Sequence, residues 1–234
     1  MPSVMSVVEA TQEFSAQEAM DHSSALLKTV AVNTGREPLV RVYTPQPTLA
    51  FSRRESLMQG FVGAAQEARD AGFSPVIRVT GGRAVAYDTG SLVFDVAFAE
   101  PPHRMSRDYV FERCSIALVE LLGSVGVRAQ IGEIPGEYCP GKFSINRDGR
   151  EKLVGTAQRV VRGARLISGF LHFGPVQEIR DVLLAVNARL NLAWNPETVG
   201  SLGGFGGLTP ATFADSLDVA LREFARGLVE EAFR

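Results

Sequence analysis

"GEIPGEYCPGKFSINRDGREKLVGTAQR", residues Gly132 to Arg159, organises the reading of this chain. Its second half reads as a hairpin. Phe143 to Asn146 and Glu151 to Thr156 flank Arg147-Asp148-Gly149-Arg150, and Asp-Gly is a strong signal for a tight turn between strands. Its first half reads as a loop that sets Cys139 between two Pro-Gly pairs, Pro135-Gly136 and Pro140-Gly141. A cysteine that only packs belongs on an apolar face. This one sits among Gly, Pro, Tyr and Lys, where a thiolate is exposed and can act as a nucleophile if a cation lies close. Lys142 and Lys152 are the candidate cations. An incidental loop cysteine is the plain alternative.

Working outward, a second hairpin is expected from Gln158 to Arg162 and Arg165 to Phe173 around Gly163. Upstream, Val76 to Thr80 and Ala84 to Tyr87 read as extended pieces broken at Gly81-Gly82. Asp88 to Gly90 reads as a turn, and Leu92 to Phe98 as a half-buried strand. Leu39 to Tyr43 and Leu49 to Arg53 are further strands. Helices are expected from a capping box at Ser15 and Glu18 to about Val32, from about Glu55 to Ala71, from Ser106 to about Leu122, from Val176 to Leu190, and after Thr209-Pro210. Cys114 falls on the apolar stripe of the third of these and reads as a small buried hydrophobe. Strands fall in meanders and not in a regular β-α-β alternation, which points to an α+β fold.

Composition sets outer bounds. The chain has 234 residues and a formal net charge of -2, so its balance carries no nucleic-acid signature. No apolar run approaches the ~20 residues of a membrane span. The N-terminal stretch lacks the charged start and apolar core of a secretory signal. Two cysteines without a CxxC pair suit free thiols in a cytoplasmic protein. His22, His103 and His172 share no metal-ligand spacing. A basic stretch (Lys142, Arg147, Arg150, Lys152, Arg159, Arg162, Arg165) is either a solvated hairpin face or a docking surface for an acidic partner.

Two segments in order carry a resemblance. "PVIRVTGGRAVAYDTGSL", from Pro75 to Leu92, resembles the Arg, Gly-Gly, Ala-Val, Asp, Gly, Leu pattern of the biotin/lipoate protein ligase superfamily. "GREKLVGTAQRVVRGA" resembles its hairpin lysine followed by Gly, a small residue, Gln and Arg. Within that superfamily, "GEYCPGKFSI" looks most like the cysteine-dependent octanoyltransferase (lipoyl amidotransferase) branch. The chain also resembles lipoate-protein ligases.

The resemblance implies a biotin/lipoate protein ligase catalytic-domain fold, a mixed and mostly antiparallel sheet with outer helices. It implies one domain over residues 1–234, with core motifs at 14–175 and a C-terminal helical segment at 176–234. Cys139 would accept the acyl group and Lys152 would lie near its carbonyl. Arg78, Gly81, Gly82, Arg83, Ala84, Asp88, Gly155, Thr156 and Gln158 would line the substrate site. The implied reaction moves octanoyl or lipoyl groups between lysines of lipoyl-carrier domains, namely the glycine cleavage H protein and the acyltransferase subunits of 2-oxoacid dehydrogenases. That reaction requires no cofactor, metal, nucleic acid or membrane. The alternatives are an ATP- and Mg-dependent lipoate-protein ligase and a non-catalytic protein that binds lipoyl domains or acyl chains. Arg83, Val93 and Asp95 depart from the family pattern, and a buried Arg83 and Asp95 are expected to pair with each other.

Overall fold

The computed structural model describes residues 7–8, 14–33 and 35–234. Of Met1 to Ser15, read above for a secretory signal, the rest lies outside the described residues. In chain order the elements are β1 (Val7–Val8), α1 (Ala16–Val32), β2 (Leu39–Tyr43), β3 (Thr48–Ser52), α2 (Phe61–Asp70), β4 (Ser74–Arg78), β5 (Val85–Tyr87), β6 (Ser91–Ala99) and α3 (Arg107–Ser124). They continue with β7 (Gln130–Ile131), β8 (Ile145–Arg147), β9 (Glu151–Val161), β10 (Ala164–His172), α4 (Gln177–Arg189) and α5 (Pro210–Ala232).

Among the described residues, one sheet has the order β1-β2-β6-β10-β9-β8-β7 and a smaller one has the order β4-β3-β5. The large sheet is antiparallel except where β1 runs beside β2, and β3 and β4 are parallel in the small one. This is the expected mixed, mostly antiparallel α+β architecture. Among the described residues, no helix is long and apolar enough to cross a membrane.

Local signals hold at the caps. Ser15 accepts the Glu18 N–H while the Glu18 carboxylate takes the Ser15 N–H at 2.8 Å. Thr209 caps α5 with Pro210 in its first turn. The expected helix from Glu55 to Ala71 is instead broken. A single 3-10 turn spans Glu55–Leu57, and α2 starts only at Phe61. The backbone leaves the helical region at Met58, with ψ 147, and α2 restarts at Gly60, where a Cβ would fall 1.8 Å from the Arg189 carbonyl oxygen at the end of α4.

The half-buried reading of Leu92 to Phe98 is also corrected. Leu92 through Phe98 are all buried, because both faces of β6 are covered. Phe94, Val96 and Phe98 pack with α3 and α5 residues such as Leu118, Phe213 and Leu217. Ala97 packs with Leu27 and Val30 of α1, and Val93 with the small sheet. The expected break between two strands at Thr156 to Gln158 does not occur. β9 runs eleven residues without interruption and serves both hairpins. The two sheets meet around the Val93 face of β6, and the cavity described next opens there.

Candidate active site

Cys139 lies in the loop before β8, half-buried, on the wall of a cavity of about 400 Å³. Its Sγ accepts the backbone N–H of Arg83 at 3.2 Å. The glycine pair makes this approach feasible. Gly82 has φ +98, and a Cβ there would stand 2.9 Å from the Cys139 sulfur and 2.8 Å from an Arg78 guanidinium nitrogen. Arg78 holds the glycine loop in place, because one of its nitrogens donates to the carbonyls of Gly81 at 2.7 Å and Arg83 at 2.6 Å. Ala84 is fixed from behind, its N–H donating to the buried Glu55 carboxylate at 2.7 Å.

Lys152 reaches the same cavity through an irregularity in β9. Ile145 pairs with Val154 but Asn146 pairs with Lys152, so Leu153 is an extra residue in the ladder. Without it, Lys152 and Gly155 would face opposite sides of the sheet. With it they share a side, and a Cβ on Gly155 would stand 2.9 Å from Lys152 Cε. The Lys152 ammonium is buried. It donates to Glu137 Oε2 at 2.7 Å and to the Cys139 carbonyl at 2.7 Å, and it lies 5.1 Å from the centre of the Tyr138 ring.

Glu137 is the residue that sequence reasoning missed. Its carboxylate, 1 % exposed, also accepts Ile134 N–H at 3.1 Å, Gly141 N–H at 3.2 Å and the Ser144 hydroxyl at 2.8 Å. One buried carboxylate therefore closes the cysteine loop on itself and ties it to Lys152. Its partners are spread from Ile134 to Lys152, so no local pattern marks it. Burial pushes the neighbouring Tyr138 phenol well above its ordinary value.

Away from Lys152 the wall becomes polar. Asp95 of β6 is buried, and its carboxylate bonds the Ser23 hydroxyl at 2.7 Å and the Ser168 hydroxyl, with Arg41 at 3.8 Å. Burial holds the Asp95 carboxyl above its ordinary value, against the pull of both serines and of Arg41. The expected Arg83–Asp95 pair does not form. The Arg83 guanidinium turns outward to the Ala193 carbonyl at 3.4 Å. Asp95 finds Arg41 instead because β2 places that residue directly opposite it across the ladder.

Of the expected site residues, Arg78, Gly81, Gly82, Cys139, Lys152, Gly155, Thr156 and Gln158 line the cavity. Gln158 also accepts from Arg165 and donates to the Arg107 carbonyl at 3.0 Å. Arg83, Ala84 and Asp88 do not line it: the Arg83 side chain turns outward, the Ala84 N–H is held by Glu55, and Asp88 belongs to a turn. Asp88 closes the turn to Gly90 at 2.8 Å and lies 3.6 Å from His172. His172 is held by Ser91 at 2.9 Å and the Pro175 carbonyl at 3.0 Å. The carbonyl can only accept, so Nε2 carries a proton, and contacts on both ring nitrogens fix this histidine in place.

The basic stretch is not one face. Lys152 and Arg165 are buried against Glu137 and Glu100, and Lys142 and Arg147 pair with Asp108 and Glu151. Arg150, Arg159 and Arg162 are exposed.

A loop cysteine and a bulge-turned lysine thus face one cavity between the two sheets. The chain belongs to the lipoyl protein ligase A/B catalytic domain family, which matches residues 15–224. An octanoyl-GcvH:protein N-octanoyltransferase of Geobacillus kaustophilus (strain HTA426) is 28 % identical over 164 residues, 70 % of this chain and 55 % of that protein. The protein of that name from Exiguobacterium sp. (strain ATCC BAA-1283 / AT1b) is 27 % identical over 197 residues, 80 % of this chain and 69 % of its own. The chain spans about half the length of the first curated relatives it matches.

Among solved structures, lipoate-protein ligase A bound with ATP superposes with a TM-score of 0.65 at 20 % identity, covering 94 % of this chain and 93 % of its own. The bi-partite lipoate protein ligase from Thermoplasma acidophilum superposes with a TM-score of 0.63 at 18 % identity, covering 94 % and 91 %. These two likenesses establish the fold.

Proposed function

We propose that this chain transfers an acyl group, octanoyl or lipoyl, between lysines of carrier domains through a thioester on Cys139. The observation that carries the reading is the convergence of Cys139 and Lys152 on one cavity, fastened together by Glu137. The Cys139 thiolate attacks the amide carbonyl on the donor lysine and a C–S bond forms. The Arg83 N–H donates to the sulfur and fixes its direction in the cavity wall.

An ammonium has three protons, and Lys152 directs two at Glu137 and the Cys139 carbonyl. The third is available to the carbonyl oxygen as it gains charge. As the C–N bond breaks, Lys152 gives a proton to the leaving amine. In the second half the acceptor amine attacks the thioester, a C–N bond forms, the thiolate leaves, and the acceptor's proton returns to Lys152. An amide is exchanged for an amide, so the cycle is near thermoneutral and needs no activation by ATP.

Lysines of the glycine cleavage H protein and of 2-oxoacid dehydrogenase acyltransferase subunits are the donors and acceptors in this reading. The relatives' names specify the first. A thiol nucleophile works in a reducing compartment, which suits a cytoplasmic protein. Residues 1–234 act as one catalytic domain. The ligase alternative, with ATP and Mg, assigns Arg78 and Lys152 to a nucleotide. Arg78 is here committed to the Gly81 and Arg83 carbonyls, which favours the transferase.

Intact-protein mass spectrometry after mixing with octanoylated H protein, without ATP, tests the reading. A gain of one octanoyl group that hydroxylamine removes and Cys139→Ala lacks is the expected result. An acyl-adenylate formed from free octanoate and ATP, and retained by Cys139→Ala, would replace it with the ligase. Retention of carrier or acyl chain with neither chemistry would leave a binding protein.

A further inference from the structure

The inner wall of the cavity sets polar groups beside apolar ones such as Met20, Val93 and Phe170. Lys152 packs against Gly155 on β9, and Gly155 lies opposite Phe170, which lies opposite Val93, which lies opposite Tyr43. Asp95 sits two residues further along β6, opposite Ser168 and Arg41. Strand rise and spacing put it roughly 12 Å from Gly155 across the sheet. This is the end of the cavity remote from the reacting carbonyl.

Four polar groups gather there. Asp95 is 1 % exposed, with the Ser23 and Ser168 hydroxyls on its two oxygens. The Tyr43 hydroxyl is buried and has no hydrogen-bond partner among the described residues. An unsatisfied buried O–H costs stability, because it loses water and gains nothing in return. A terminal methyl group placed here would leave that O–H unmet and press hydrocarbon against a carboxyl. A hydroxyl would accept from Tyr43 and donate to the Asp95–serine cluster. A cationic end would meet Arg41, which lies 3.8 Å from the carboxyl, and an anionic end would bury a charge at great cost.

We propose that this end of the cavity recognises an acyl group whose far end carries an uncharged hydrogen-bonding group, a hydroxyl foremost, with Tyr43 and Asp95 setting the preference. The proposal rests on the acyl-transfer reading and changes the acyl group, not the chemistry.

The test is a competition. The protein is offered equal amounts of the octanoyl and 8-hydroxyoctanoyl thioesters of N-acetylcysteamine, and the Cys139 adducts are resolved by intact mass. In each case the Cys139 sulfur bonds the acyl carbon, the N-acetylcysteamine thiolate leaves, and it takes the proton from water. The hydroxyoctanoyl adduct should exceed the octanoyl adduct about tenfold, the worth of one buried hydrogen bond. Tyr43→Phe removes only an oxygen that bonds nothing among the described residues, so the fold stands and the ratio should fall toward one. Equal loading by the wild type, or a ratio that Tyr43→Phe leaves unchanged, overturns the proposal.

If neither thioester loads Cys139, the transfer reading fails and the pocket is still decided by calorimetry. The Cys139→Ala protein is titrated with octanamide and with 8-hydroxyoctanamide. Binding of the hydroxy compound about tenfold tighter sustains the proposal, and equal affinity removes it.

Discussion

Lys152 Nζ and Glu137 Oε2 lie 2.7 Å apart, with side chains 4 % and 0 % exposed, in the loop that presents Cys139. Removing one partner of such a pair leaves the other charge buried without compensation. Glu137→Gln should therefore lower unfolding stability by about 3 kcal/mol, read from urea denaturation. Acyl transfer should fall further than the unfolded fraction explains, because the Cys139 loop loses its tie to Lys152. A variant of wild-type stability and rate would refute the role given to Glu137.

The two thiols should separate cleanly. Burial pushes the Cys114 thiol up to about 12, and Cys114 is fully enclosed in the core beside Leu118. Only the thiolate reacts. Iodoacetamide at pH 8 should label one cysteine per folded chain and two in denaturant, counted by mass. Cys139→Ala should take none while folded. Labelling of native Cys114 would contradict the packing of α3.

At Gly82 the backbone, not the space alone, is the constraint. Gly82→Ala adds a Cβ 2.9 Å from the Cys139 sulfur at a φ of +98, a region that L side chains avoid. The loop must shift, and the Arg83 N–H leaves the sulfur. Alkylation of Cys139 at fixed pH should slow several-fold, and stability should fall by about 1 kcal/mol from the strained φ. An unchanged alkylation rate would count against the Arg83 N–H as a hold on the sulfur.

Asp95 gives a pH signature of a definite sign. Its folded carboxyl titrates above the ordinary value of 3.8, with burial the largest cause. The folded state therefore binds the proton more tightly than the unfolded chain does. Its contribution to stability is full below about pH 3.9 and is lost as pH rises through the raised folded value. Geometry agrees, because Ser23 has one proton but two acceptors in reach, Ala19 O at 3.1 Å and Asp95 at 2.7 Å. A protonated Asp95 satisfies both. Asp95→Asn should thus gain on the wild type as pH rises from 4 to 7, seen as diverging urea midpoints. Parallel curves would mean Asp95 stays ionised throughout.

The sequence made the hairpin, the glycine break and the caps legible, because each is written in neighbouring residues, whereas Lys142 and Lys152 stood as equal candidates beside Cys139 until the fold turned Lys152 toward it. Asp148 and Gly149 take φ 54 and 67 as an Asp-Gly turn requires. What stayed hidden depends on residues far apart in the chain. Residue 60 has no room for a side chain because Arg189 arrives against it. Glu137 is one glutamate among several until four donors fold around it. Asp95 chooses Arg41 over Arg83 because of strand register, and register is not a local property. The basic stretch looked continuous only in one dimension, since alternation along β9 and β10 turns Lys152 and Arg165 inward.

The extra residue at Leu153 has a consequence for how this hairpin tolerates change. Strand residues alternate in twos, whereas the site needs Lys152 and Gly155, three apart, on one side. The bulge acts as a phase corrector between turn and cavity. Residues inserted at the exposed tip by Asp148 would lengthen a loop and leave that phase untouched. Deleting Leu153 alone would restore a regular ladder and rotate the ammonium to the far side of the sheet, silencing the site with every residue of its wall still present.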